Sequence, residues 1–301
     1  MNSTARPLDA AAMGLVVFLC LTWGFNQVAT KLAMPDIPPL IQAAIRSSGG
    51  TVIVVAWALW RGEPLWRRDG TLIPGIVTGI LFGLEFVCIF RGLVWTTAVR
   101  AVLFIYLAPF FVVIGARWFL PGDRFDVSQW LGLLLSFAGM VIAFGLPTPS
   151  ANPDQIVGDV MMVAAAMLWA ATTLVMKASR LQQAPFAKTL LYQLVISVPI
   201  LTVAAYAFGE HIAPHPSTLA IVSVAYQAVW VAGITFLFWF SLVQRFSASR
   251  LSAFTFLTPL FGVLGGHLVL GEPLTLGFGV AVVLVAGGLV LVNRPRRVVE
   301  K

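Results

Sequence analysis

Tyr106-Leu107-Ala108-Pro109-Phe110-Phe111 and Phe256-Leu257-Thr258-Pro259-Leu260-Phe261 stand 150 residues apart and share an aromatic–Leu–small–Pro–apolar–Phe pattern. The match extends in both directions. Arg100 precedes Pro109 by nine residues, as Arg250 precedes Pro259. Trp23 is followed eight residues later by Lys31, and Trp169 eight residues later by Lys177. Each proline segment runs on to an acidic turn, Gly122-Asp123 in one copy and Gly271-Glu272 in the other, read here as structural punctuation. The offsets stay between 146 and 150, so the sequence predicts one duplicated unit, residues 1–150 and 151–301.

What the unit is made of follows from its apolar runs. The chain of 301 residues is 59% hydrophobic and 10% charged, with a mean hydropathy of +0.93. Soluble domains carry about 25% charged residues, and 19 basic plus 12 acidic side chains are too few to coat a water-exposed surface. A helix needs about 20 apolar residues to cross the hydrocarbon core. Ten runs of that length lie at about 11–32, 39–60, 72–93, 99–120, 129–146, 157–178, 187–208, 218–240, 250–270 and 275–293. The breaks hold proline, glycine and charge: Met34 to Pro39, Arg61 to Pro64, Leu120 to Asp123, Pro147 to Pro153, and Gly271 to Pro273. The runs lack period-two alternation, and lipid tolerates only helices or closed barrels. The first run has no small-residue cleavage site and reads as a span, not as a removed leader.

Five spans per copy is an odd number, so the second copy enters the bilayer from the opposite side. The expected fold is an all-α membrane protein: ten transmembrane helices as two inverted five-helix repeats around a central cavity, the construction that binds solutes where repeats meet near the midplane. With alternating loops, fifteen of the nineteen basic residues fall on the side of the N-terminus, among them Arg61, Arg67, Arg68, Arg117, Arg124, Arg180, Arg245 and Arg294. Lys31, Arg91 and Arg100 fall near the other side, and Arg46 lies within the second span. The positive-inside rule then puts both termini in the cytoplasm.

These elements resemble the drug/metabolite transporter superfamily, specifically its ten-helix EamA-type exporters. The resemblance rests on Trp23-Gly-Phe-Asn26 and Trp169-Ala-Ala-Thr172, on Thr97-Ala98 through Leu107-Ala-Pro-Phe110 with Ser249 through Leu257-Thr-Pro-Leu260, and on Gly271-Glu-Pro-Leu-Thr275. It covers nearly the whole chain. Within that group the sequence is similar to the YddG-like exporters of aromatic and other amino acids. The resemblance implies a multi-pass protein of the bacterial inner membrane that exports amino acids or related metabolites. The first copy departs from the pattern with Gly122-Asp-Arg where the second has Gly-Glu-Pro.

An ionisable group at depth costs at least about 2.5–3.5 kcal/mol to insert, which singles out Glu85 in the third span. Arg46 enters the second span to a similar depth, so the two are candidates for an ion pair, either a structural lock or a receptor for a substrate's ammonium and carboxylate. Helical spacing puts Trp23, Asn26, Gln27 and Thr30 on one face, Gln42 and Arg46 on another, and Gln227 with Trp230 on a third. Phe82, Tyr106 and Trp169 add rings deep in their spans, while Trp60, Trp66, Trp118 and Trp130 sit where interface anchors are expected. The candidate substrate-binding set is therefore Trp23, Asn26, Gln42, Arg46, Phe82, Glu85, Tyr106, Trp169, Gln227 and Trp230. Polar members of such a set also serve as glue between helices, and aromatic ones as packing. Pro109 and Pro259 are expected to kink their helices, with Gly115, Gly265 and Gly266 nearby.

No catalytic group, metal site or cofactor is expected. Cys20 and Cys88 lie in separate apolar runs, His267 stands apart from other ligands, and there is no phosphate-binding glycine loop. The partners expected are a small-molecule amino-acid substrate and the lipid bilayer, with no nucleic acid, and the working unit is a monomer. The leading reading is a secondary exporter working by alternating access. Its alternatives are an uncoupled facilitator or channel, an exporter of organic cations or an exchanger of other small metabolites such as sugar phosphates. Polyanions call for several cavity cations, whereas a zwitterion needs one partner of each sign. The orientation is checked by fusing a protease-cleavable tag to either end: in intact cells both are expected to resist externally added protease, and cleavage of either contradicts the assignment.

Overall fold

The computed structural model describes residues 8–146 and 154–294; the break read at Pro147 to Pro153 lies outside them, as do Arg6, Arg296, Arg297 and Lys301. Among the described residues there are helices and no strands. Ten helices are long and apolar enough to cross a membrane: α1 Ala10–Ala33, α2 Pro39–Trp60, α3 Leu72–Trp95, α4 Ala98–Phe119, α5 Val127–Phe144, α6 Gln155–Ala178, α7 Phe186–Ala207, α8 Thr218–Arg245, α9 Ala248–Leu270 and α10 Leu276–Asn293. Local chemistry sets several starts. Asp9 caps α1 through Ala12 N at 2.8 Å, and Asp126 with Gln129 forms a reciprocal capping box on α5.

The helices pack as a set that survives exchange of its halves. α3 lies along α6 as α1 lies along α8; α3 touches α7 as α8 touches α2; α4 packs on α6 as α9 packs on α1. Two contacts are their own mirror image, α2 with α7 and α5 with α10. At the first, Ser197 Oγ donates to Ser47 Oγ at 3.0 Å, and both residues are fully buried. α2 and α7 are related by an offset of 147, so exchange of the halves carries the Ser47–Ser197 contact to Gly50 beside Leu194, where a Cβ on Gly50 would lie 3.3 Å from Leu194 Cδ1. The two contacts flank the two-fold axis near the middle of two 22-residue helices.

Each proline interrupts its span one turn ahead of its own position. α4 consists of two helices, Ala98–Ile105 and Ala108–Phe119, and α9 of Ala248–Phe254 and Leu257–Leu270. A proline ring collides with the carbonyl four residues earlier, here at Ile105 and Thr255. The chain breaks there, and each proline falls in the first turn of the following helix, where a missing N–H costs nothing. A second departure lies in α8. Tyr226–Thr235 is π-helical, with hydrogen bonds reaching five residues instead of four.

The α5–α10 seam is held by small residues. A Cβ on Gly132 would lie 2.5 Å from Gly288 O, and one on Gly288 2.4 Å from Gly132 O. Gly132→Leu is expected to force the two helices apart at about 1–3 kcal/mol, lowering melting temperature in detergent, while Gly14→Ala, where nothing lies within 4 Å, leaves it unchanged. Equal melting of both variants contradicts the packing.

Candidate functional site

Arg46 precedes the axial Ser47 by one residue and is 6% exposed. Its guanidinium lies 4.2 Å from the Phe86 ring centre and 6.0 Å from that of Phe236, within the range of cation–π attraction. Its Nε and Nη2 are buried without a hydrogen-bond partner. Those two N–H groups form one edge of the guanidinium fork, the edge that matches a carboxylate bidentately. Glu85, 7% exposed on the adjacent helix, interacts with Arg46 through space. The two make no direct ion pair: within 4.0 Å the described residues form Lys31–Glu272, Arg100–Asp159 and Lys188–Asp69 pairs instead.

Rings close the space around Arg46. Phe86 meets Phe82 at 5.0 Å, Phe82 meets Phe236 at 6.2 Å, and Phe236 meets Trp23 at 6.0 Å, all edge to face. Trp23 also abuts Trp239 at 5.2 Å and donates its Nε1–H to Thr235 Oγ1 at 2.9 Å. Thr235 itself donates to Val231 O. Trp23, Arg46, Phe82 and Glu85 are thus brought to the centre from α1, α2 and α3. Tyr106 and Trp169 form a second group with Phe256, ring centres 6.4 and 6.1 Å from Tyr106, and Tyr106 and Phe256 belong to the same continuous core as Phe82. Asn26 contributes a buried Oδ1 with no partner.

The remaining expected residues are used otherwise. Gln227 Nε2 donates to Gln42 Oε1 at 2.7 Å, Gln42 Nε2 donates to Ile37 O at 2.7 Å, and Thr30 joins both. This amide knot ties α1, α2 and α8 together beyond the aromatic group. Trp230 does not share a face with Gln227. It lines a groove of about 550 Å³ with Phe25, Val28, Tyr226 and Val269, and meets the exposed Phe18 edge to face. The π-helical turns are the reason, because they shift everything after Tyr226 off the ordinary helical spacing. Gln27 likewise turns outward, over Gly262.

Among the buried polar residues not singled out by the sequence are Ser47, Ser197, Thr235 and Gln193. Gln193 is 1% exposed and its Nε2 has no partner. The offset of 147 between α2 and α7 carries Arg46 to Gln193, and the offset of 150 between the ends of α3 and α8 carries Glu85 to Thr235. That register was the signal available, and by it the charges at the centre belong to one half alone.

The basic residues near the face opposite the N-terminus are engaged. Arg100 pairs with Asp159, which also accepts from Thr96 Oγ1 at 2.6 Å. Lys31 pairs with Glu272 at 2.6 Å, and Arg91 stacks 4.0 Å over Phe208. On the basic face, Thr71 donates to Asp69 at 2.5 Å and Lys188 at 2.9 Å; the Thr71 hydroxyl, then Lys188, holds the Asp69 carboxyl down to about 2. That contact is therefore intact at neutral pH and lost only in strong acid. Gln42→Leu, which removes the amide knot, is expected to cost about 1 kcal/mol and to lower the melting temperature in detergent. An unchanged melting temperature contradicts the role given to it.

Comparison with known proteins places this geometry. The model of the EamA-like transporter family matches twice, over residues 10–145 and 156–294. The uncharacterized transporter YvbV of Bacillus subtilis (strain 168) is 28% identical over 93% of this chain and 90% of its own. The uncharacterized inner membrane transporter YedA of Escherichia coli (strain K12) is 23% identical over 91% of this chain and 90% of its own. The chloroplastic WAT1-related protein At3g02690 of Arabidopsis thaliana is 28% identical over 91% of this chain and 67% of its own. A solved crystal structure with 21% sequence identity superposes over 94% of this chain and 96% of its own with a TM-score of 0.79, which establishes the likeness of fold. With the family model covering both halves, the chain is a multi-pass membrane protein that belongs to the EamA-like transporter family.

Proposed function

We propose that this transporter is a secondary exporter of neutral and aromatic amino acids, with Arg46 taking the substrate carboxylate on its Nε/Nη2 edge and Glu85 taking the ammonium. One observation carries the reading: a buried guanidinium beside the two-fold axis keeps two parallel N–H groups without an acceptor, and a carboxylate is the group that fits them. The facing rings of Trp23, Phe82, Phe86 and Phe236 supply a wall for an apolar or aromatic side chain, and the Oδ1 of Asn26 an additional acceptor. Lys31 and Arg100 are already paired, which speaks against a polyanionic substrate.

Transport follows by alternating access between the halves 1–150 and 151–301. The bias of basic residues supports cytoplasmic termini and a place in the bacterial inner membrane, with substrate entering from the cytoplasm. One chain supplies every group of the site, so a monomer suffices.

The test is uptake into proteoliposomes with a panel of amino acids, with and without a proton gradient. Arg46→Leu is expected to reduce movement of the zwitterions by about tenfold to hundredfold, the worth of a hydrogen-bonded charge. Arg46→Lys, which keeps the charge and loses the fork, is expected to fall between. Full activity of Arg46→Leu, or failure of every aromatic amino acid to move, contradicts the proposal.

A further inference from the structure

Lys31 lies in the last turn of α1 in the first half, and Glu272 in the α9–α10 turn of the second. Their ion pair, 2.6 Å, joins the halves on the face opposite the N-terminus. Glu272 lies against Gly266, and its own carbonyl is 2.7 Å from His267 Nδ1. The repeat carries Lys31 to Lys177, in the last turn of α6, and Glu272 back to Asp123, in the α4–α5 turn. Those residues occupy the corresponding place on the basic face, with the halves interchanged.

At the basic face the same two residue types are apart. Lys177 Nζ donates to Phe246 O at 2.9 Å. Asp123, 5% exposed, accepts from Ser247 Oγ at 2.7 Å and from Ser249 N at 3.3 Å. Asp123 thereby ties the first half to the link between α8 and α9, which Lys177 also holds, and the two interact through space without a direct pair. Two equivalent pairs in two different states are what an inverted repeat shows when it has left its symmetric arrangement: on one face the lysine holds the acidic turn directly, and on the other both hold the α8–α9 link.

We infer that Lys31–Glu272 and Lys177–Asp123 are reciprocal latches of the transport cycle, each a lysine of one half closing on the acidic turn of the other, so that the direct pair on one face goes with the separated pair on the other. Lys31, Glu272, Lys177 and Asp123 are positioning residues, remote from the substrate groups, and their role is to balance the two access states. The inference rests on the alternating-access reading and not on the identity of the substrate. It also gives the two acidic turns, Gly122-Asp123 and Gly271-Glu272, a role beyond ending a helix.

Disulfide trapping of the full chain in proteoliposomes tests it, with Cys20 and Cys88 replaced by alanine. Lys31→Cys with Glu272→Cys is expected to cross-link readily under mild oxidation, and Asp123→Cys with Lys177→Cys only weakly. Adding Glu272→Gln to the second chain is expected to raise its yield about fivefold, the shift that loss of an exposed ion pair supplies, and Lys31→Gln to do the same. The reversed pair, Lys31→Glu with Glu272→Lys, is expected to return the yield to its starting value, which distinguishes a latch from damage to the fold. A yield at residues 123 and 177 that ignores Glu272→Gln and Lys31→Gln overturns the inference. The readout contains no substrate, so a failed amino-acid panel leaves it standing, and a failed trapping result leaves the amino-acid reading standing.

Discussion

α2 and α7 cross at the two-fold axis, where Ser197 meets Ser47, and the other contacts are arranged about that crossing. α2 and α7 can cross there because two buried serines satisfy each other, where an unmatched polar group in hydrocarbon would cost several kcal/mol. The α5–α10 seam closes the exchange at the periphery through Gly132 and Gly288. Between these self-paired contacts the remaining helices occur in mirrored partnerships, so a movement of one half against the other has a counterpart on the opposite face.

Charge symmetry fails at the centre. Position 46 is arginine where its repeat equivalent is Gln193, and position 85 is glutamate where the equivalent is Thr235. Thr235 is satisfied, receiving Trp23 and donating to Val231. Arg46 is not: it is stacked on Phe86 with one edge of its fork unmatched. A duplicated scaffold needs no such pair for packing, as its second copy demonstrates. The charge asymmetry is therefore not a requirement of the packing.

Most of the architecture was legible in the sequence because hydropathy and parity act over whole segments. The ten runs correspond to the ten helices, and the prolines were visible as interruptions, which fall one turn earlier because the ring excludes the carbonyl four residues back. Side-chain direction was legible only where helices kept their ordinary period. Trp23, Arg46, Phe82 and Glu85 converge as expected. Gln227 and Trp230 part company because α8 widens into π-helical turns with no proline in Tyr226–Thr235 to announce them. The candidate pair Arg46–Glu85 stays open for a different reason: equal depth on neighbouring helices fixes height in the membrane but not rotation, and the guanidinium turns its face to Phe86. Gln42 was placed at the right depth, yet its amide closes on Gln227 instead of standing open.

Binding of a matched ligand series to the purified protein is the most direct measurement of whether the unmatched edge of Arg46 is a carboxylate receptor. By calorimetry, phenylalanine is expected to bind, and phenethylamine, which keeps the ring and ammonium without the carboxylate, to bind about tenfold or more weakly. Equal affinity for the two would contradict the account, because the fork would then be meeting nothing that the substrate brings.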